Sequence, residues 1–119
     1  MAGGGRLRRV DEVVRQVLAD AIAAELKDPR VGFVTVTAVN TSPDLRSARV
    51  YVSVLGDEAT REASLAGLRQ AHGYLQGRIA SELALRRTPT LEFRYDDTTD
   101  RALQIEKILR GRDGAGGAA

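Results

Sequence analysis

The sequence predicts an α+β fold, with a three-stranded mixed sheet and helices packed on one face. Three observations carry that expectation. Apolar residues recur at three- and four-residue steps through several long stretches, the spacing of amphipathic helices. Three shorter stretches are β-branched or alternate with period two, as strands do. The third strand follows a helical crossover instead of a tight turn, so the sheet is mixed.

Val10, Val13, Val14, Val17, Leu18, Ala21, Ile22 and Leu26 trace the first helix, from about residue 7 to 27. Asp28-Pro29 ends it, because the residue before proline is pushed out of the α region. Phe33 to Val39 is the first strand, and Asn40-Thr41-Ser42-Pro43-Asp44 is a turn cluster. Ala48, Val50, Val52 and Val54 alternate with Arg49, Tyr51, Ser53 and Leu55, a second strand that pairs back as a hairpin. Gly56-Asp57 closes it and places Asp57 to N-cap the next helix. Residues 59–86 hold two helical pieces that meet near Gly73, with Leu65, Leu68, Leu75, Ile79 and Leu83 as their apolar face. Thr88-Pro89 stops the second piece. Leu91, Phe93 and Tyr95 alternate with Glu92 and Arg94 as the third strand. Asp97 or Thr98 is placed to cap a short last helix carrying Ala102, Ile105, Ile108 and Leu109. Residues 6–110 form one domain, and 1–5 and 111–119, rich in glycine and alanine, are expected to be flexible tails.

The 119 residues suit a single domain with a modest core. There is no cysteine, which excludes a disulfide framework and thiolate metal sites. Asp11, Glu12 and Arg15 interrupt any apolar stretch behind the N-terminal arginines, so no signal peptide is expected. No apolar run approaches the ~20 residues that span a bilayer. A cytoplasmic protein without membrane association is expected. Net charge is only +2, so placement of charge matters more than its total. Lys27 and Lys107 are the only lysines, and coding bias accounts for much of the arginine excess.

The junction Ala71-His72-Gly73 carries the functional expectation. Gly73 and Gly77 each cost a helix about 1 kcal/mol relative to alanine. A chain accepts that where it must bend, or where a backbone or phosphate comes close. An isolated glycine here would read as a helix C-cap. Gly77 one turn later and the surrounding arginines favour a nucleic-acid contact. Ala66, Gly73, Gly77, Ala80 and Ala84 share one side of a continuous helical wheel, beside Gln70, Tyr74 and Ser81. Arg69, Arg78, Arg86 and Arg87, with Arg8, Arg9 and Arg30, are candidate phosphate contacts, although most arginines anywhere are simply solvated. Tyr51 and Tyr74 are candidate stacking platforms. His72 is expected to be partly buried and hydrogen-bonded; as the only histidine it makes a poor metal site. Asp96, Asp97 and Asp100 invite a metal-site reading, but their place between strand and helix favours capping. No Ser-His-Asp set, phosphate loop or zinc spacing is present, so no catalytic residue, metal or cofactor is expected.

The element order, with a glycine between two consecutive helices, resembles the type II KH domain of RNA-binding proteins. The usual GXXG loop is absent. An Ala-x-Gly kink in its place is similar to the ribosome-binding factor A family. Lys27-Asp28-Pro29-Arg30-Val31-Gly32-Phe33-Val34-Thr35-Val36-Thr37 resembles that family too. So do Ala48-Arg49-Val50-Tyr51-Val52-Ser53-Val54-Leu55-Gly56, Leu85-Arg86-Arg87-Thr88-Pro89 and the Tyr95-Asp96 turn. The likeness spans residues 6 to 110. It implies a monomeric, non-enzymatic, cofactor-free protein that binds the free small ribosomal subunit and its RNA and helps late maturation, with no small-molecule substrate. Arg8, Arg9, Arg30, Arg69, Ala71, His72, Gly73, Tyr74, Arg78, Arg86 and Arg87 are the expected RNA contacts. Two other readings are a generic KH-like module for single-stranded RNA and a metal-dependent nuclease built on Asp96, Asp97 and Asp100.

Overall fold

The structure, a computed structural model, describes residues 2–84 and 87–118, with side-chain surroundings for 5–84 and 87–111. Helix α1 (Ala2–Ala24) leads into the hairpin β1 (Val34–Thr41) and β2 (Ser47–Val54). Helices α2 (Glu58–Gln70) and α3 (His72–Glu82), strand β3 (Thr90–Tyr95) and helix α4 (Thr98–Ala118) follow. The sheet order is β1-β2-β3. β1 and β2 are antiparallel, with Val34 opposite Val54 and Thr41 opposite Ala48. β2 and β3 are parallel, with Ser47 beside Thr90 and Val52 beside Tyr95. The crossover through α2 and α3 thus gives the mixed sheet that the element order predicts.

One face of the sheet is covered by helices. α1 packs on β1 and α3, while α2 and α3 pack on β3. The predicted stripes fill this layer. Val14, Leu18 and Ala21 of α1 are buried with Val50, Val52 and Phe93 of the sheet and with Leu68, Leu75 and Ile79 of the helices. A fully buried leucine or isoleucine contributes about 1.5–3 kcal/mol through removal from water. Alternation slips once in β1, where a bulge between Val36 and Ala38 lets Val36 and Val39 both face inward. The hydroxyl of Thr37 at the bulge donates to Asp96 Oδ2 at 2.7 Å.

Several boundaries differ from the sequence expectation. α1 ends at Ala24, before Asp28-Pro29, because Glu25 and Leu26 N–H both converge on the carbonyl of Ala21, at 2.9 and 3.1 Å. Asn40 and Thr41 belong to β1, held by the β2 ladder and by Asp11 Oδ1, which accepts Thr41 N–H at 2.8 Å. Residues 2–5 and 111–118, expected as tails, are drawn into α1 and α4. Extending an existing helix adds one hydrogen bond for each residue fixed, which here offsets the cost of about 1 kcal/mol that each flanking glycine carries. The last helix is therefore long, and its Leu103, Ile105, Ile108 and Leu109 are exposed. Asp57 caps α2 as expected, accepting Thr60 N–H at 2.8 Å. At α4 the capping side chain is Asp96, which accepts Thr98 N–H at 2.9 Å, in place of the Asp97 or Thr98 expected.

Candidate nucleic-acid interface

The two pieces predicted around Gly73 are separate helices that meet at one residue. Ala71 sits at φ −84°, ψ 7°, outside the helical well. Its N–H is shared between the carbonyls of Gly67 and Leu68, both at 3.1 Å, while its own carbonyl accepts Leu75 N–H at 3.0 Å and starts α3. Leu68 and Leu75 are fully buried on either side, so core packing holds the bend from below. Above it, the N-cap of α3 is Ala71, which makes no side-chain capping hydrogen bond. Such a terminus favours an anion, since the first-turn N–H groups point outward.

The glycines near the bend fall into two kinds. A Cβ on Gly67 would stand 2.6 Å from Val31 Cγ2, with the Asp28 carboxylate 3.5 Å away. That glycine lets α2 approach the loop after α1, and sequence reasoning missed it. A Cβ on Gly73 or Gly77 would meet nothing within 4 Å. Among the described residues nothing asks for glycine at those two sites, although both lie within helical turns. Ala66, Gln70, Gly73, Tyr74, Gly77, Ala80, Ser81 and Ala84 are all exposed. Ala66 and Gln70 lie on α2, Gly73 to Ser81 on α3 and Ala84 beyond its end, so the stripe is divided by the bend while each of its residues stays at the surface.

The structure divides the predicted arginines. Arg30 reaches the kink: its Nη2 donates to Asp28 Oδ2 at 2.6 Å and also to Gln70 Oε1. Its guanidinium holds the Asp28 carboxyl down at about 2. Arg69 Nη2 donates to the carbonyl of Phe93 at 3.2 Å, on the free edge of β3. Arg78 Nε lies 3.0 Å from Glu25 Oε1, and Glu82 is 4.0 Å away. The hydroxyl of Tyr74 also donates to Glu25, and that carboxylate pushes the phenol upward. Glu25, Asp28 and Gln70, none of them expected as part of the site, therefore orient Arg30 and Arg78, while the Phe93 carbonyl holds Arg69. Their roles show only in three dimensions, since Gln70 and Arg30 are 40 residues apart.

Arg8 and Arg9 do not join this group. They lie about 22 Å along α1 from its end at Ala24, at 1.5 Å per residue. Arg87 is exposed on the connection between α3 and β3, and Arg86 falls outside the described residues. His72 is exposed, a correction to the partly buried state expected. The bend turns it off the apolar face, and its Nδ1 lies 2.9 Å from the Arg69 carbonyl as a cap on α2. Tyr51 is half-buried on the open sheet face, while Tyr74 is exposed beside the kink. The acidic trio is dispersed among other partners. Asp96 takes Thr37 and Thr98, Asp97 pairs with Arg101 at 2.9 Å, and Asp100 accepts from Arg61 at 3.1 Å and Tyr95 at 2.6 Å. Among the described residues no group of three such side chains is arranged to hold a metal ion. No described helix is long and apolar enough to cross a membrane.

A helix-crossover mixed sheet with a kinked helix pair in place of the GXXG loop defines a type II KH-like protein. Residues 6–109 match the family model for ribosome-binding factor A. A Brevibacillus brevis ribosome-binding factor A is 48% identical over 105 residues, covering 88% of this chain and 87% of the relative. The crystal structure of ribosome-binding factor A from Thermus thermophilus superposes with a TM-score of 0.66 at 34% identity, over 75% of this chain and 94% of that one. The Thermus thermophilus factor fitted into the cryo-EM map of a 30S complex superposes at 0.59 with 36% identity, over 71% and 88% of the two chains. The chain belongs to the ribosome-binding factor A family.

Proposed function

We propose that this protein is a ribosome assembly factor, acting as a cytoplasmic monomer through one domain, residues 6–110. It binds the free small ribosomal subunit and its RNA and promotes late maturation and processing of that RNA. The observation that supports this most is its 36% identity to the Thermus factor fitted into a map of the 30S complex. The kink supplies a matching surface: an uncapped helix terminus, an outward stripe of small residues, and Arg30, Arg69 and Arg78 held by partners. Gly73 and Gly77 let an RNA backbone approach α3 more closely than any side chain would allow. Binding one conformation of an immature particle better than another shifts its population, which needs differential affinity and no bond-making. No cofactor or small-molecule substrate enters this scheme.

The test is co-sedimentation with isolated small subunits and with whole ribosomes across a salt series. Selective, salt-sensitive binding to the free small subunit is the expected result. Equal binding to any RNA offered would leave a generic RNA-binding module, and binding to neither particle would refute the proposal.

A further inference from the structure

Among the described residues, Phe33, Leu55 and Leu103 are the most exposed large apolar side chains, at 80%, 75% and 60%. None of the three belongs to the hydrophobic core, yet they meet at one place. Leu55 N–H donates to the Phe33 carbonyl at 3.0 Å, which sets the two side by side just beyond the β1–β2 ladder. Strand alternation turns both away from the helices. Val36 and Val54 face the core, so Phe33, Thr35 and Leu55 stand on the open face of the sheet. Helix α4 starts just after β3 and brings its first turns to the same corner. The result is a groove of about 500 Å³, lined by Phe33, Thr35, Leu55 and Tyr95 from the sheet side and by Asp100 and Leu103 from α4. Exposed apolar side chains gathered in a groove, with polar groups around them, mark an interaction site.

The charge around the groove selects its occupant. Asp57 and Glu58 directly follow Gly56, another lining residue, and Asp96 and Asp97 directly follow Tyr95. With Asp100 these make five carboxylates. Two guanidinium groups stand against them. Arg61 lies 3.1 Å from Asp100 and 3.9 Å above the centre of the Tyr95 ring, and Arg101 pairs with Asp97 at 2.9 Å. The rim is therefore net negative. An RNA strand or an anionic lipid surface would bring phosphates against these carboxylates, which is unfavourable. A second copy docked through the same face would set rim against rim, because an isologous contact places each patch on its twin. A basic protein segment complements both the apolar floor and the acidic rim. Apolar anchors inside a polar rim are also the anatomy of a protein–protein site.

We infer that the Phe33–Leu55–Leu103 groove docks an extended, lysine- and arginine-rich protein segment that carries an apolar side chain. The apolar side chain fills the space among the three anchors, and the flanking cations meet the rim carboxylates. This surface lies on the open sheet face and α4, whereas the kink lies in the helical layer. The inference goes beyond the assembly-factor reading and stands without it.

The probe is a fluorescein-labelled peptide repeating Lys-Leu-Arg, titrated against the full chain by fluorescence anisotropy. Companion peptides carry serine for each leucine, or glutamate for each base. Two double variants, F33S/L55S and E58Q/D97N, alter the anchors and the rim separately, with thermal unfolding confirming the fold. The leucine peptide should bind the wild type and the companions should not. F33S/L55S should weaken binding at least about tenfold, since two large apolar contacts are lost. E58Q/D97N should weaken it roughly two- to tenfold, as expected for two exposed ion pairs. No binding by the wild type, equal binding of either companion peptide, or wild-type affinity in either double variant would overturn the inference. So would a wild-type dimer, or binding of an RNA duplex, that F33S/L55S abolishes, since the groove would then belong to a second copy or to RNA. Peptide binding that survives while small subunits fail to co-sediment would uphold the groove and refute only the assembly-factor reading.

Discussion

Gly77→Ala should stabilise this protein and impair its binding at once. Gly77 lies mid-way in the 11-residue α3, is exposed, and has nothing within 4 Å of an added Cβ. Alanine there removes the backbone-entropy penalty of a helical glycine, about 1 kcal/mol. With an unfolding entropy of ~2.1 cal/mol/K per residue over this chain, that raises Tm by about 4 °C. On a particle the same methyl would stand between α3 and the RNA. Forcing a methyl into a tight contact costs about 1–3 kcal/mol, so affinity for small subunits should fall about tenfold, equivalent to ~1.4 kcal/mol. Thermal unfolding and co-sedimentation of one preparation measure both effects. A lower Tm would show that the site is not open as described. A higher Tm with wild-type affinity would refute close RNA approach at α3.

Gly67→Ala should do the opposite, lowering Tm by several degrees, because its Cβ would collide with Val31 at 2.6 Å; a Tm at or above wild type would refute that packing. Arg78→Glu should also destabilise, since it would place a carboxylate beside Glu25 and Glu82. Arg78→Gln should unfold close to wild type, and identical Tm values for the two variants would count against the Glu25 contact. Asp28 titrates at about 2 because of Arg30, against an ordinary 3.8. A depressed carboxylate contributes stability above its unfolded pKa and loses it as pH falls through the folded value. The urea midpoint of the wild type should therefore approach that of Asp28→Asn as pH drops from about 4 toward 2, and a constant gap across that window would be the contrary result.

The hydrophobic stripes were legible because helix and strand periods are local properties. Val14, Leu18, Leu68, Leu75 and Ile79 face inward, as their spacing requires. The β1 bulge was not legible, since Val36 and Val39 are inward together only when β2 lies alongside. Nor was the length of α4, expected as a short helix, which runs from Thr98 to Ala118. At the kink, Ala71-His72-Gly73 marked the place, yet the exposure of His72 depended on how the two helices turned. Gly67 passed unnoticed because its reason is Val31, 36 positions away in the sequence.

By itself, the sequence determined the order of elements, the mixed sheet and the position of the break, because periodicity, proline and glycine act on neighbouring residues. Tertiary structure alone decided which cations are free. Arg30, Arg69 and Arg78 find partners only through folding, in Gln70, the Phe93 carbonyl and Glu25. Charge acts through space over distances that the chain order does not record, so its pattern had to wait for the fold.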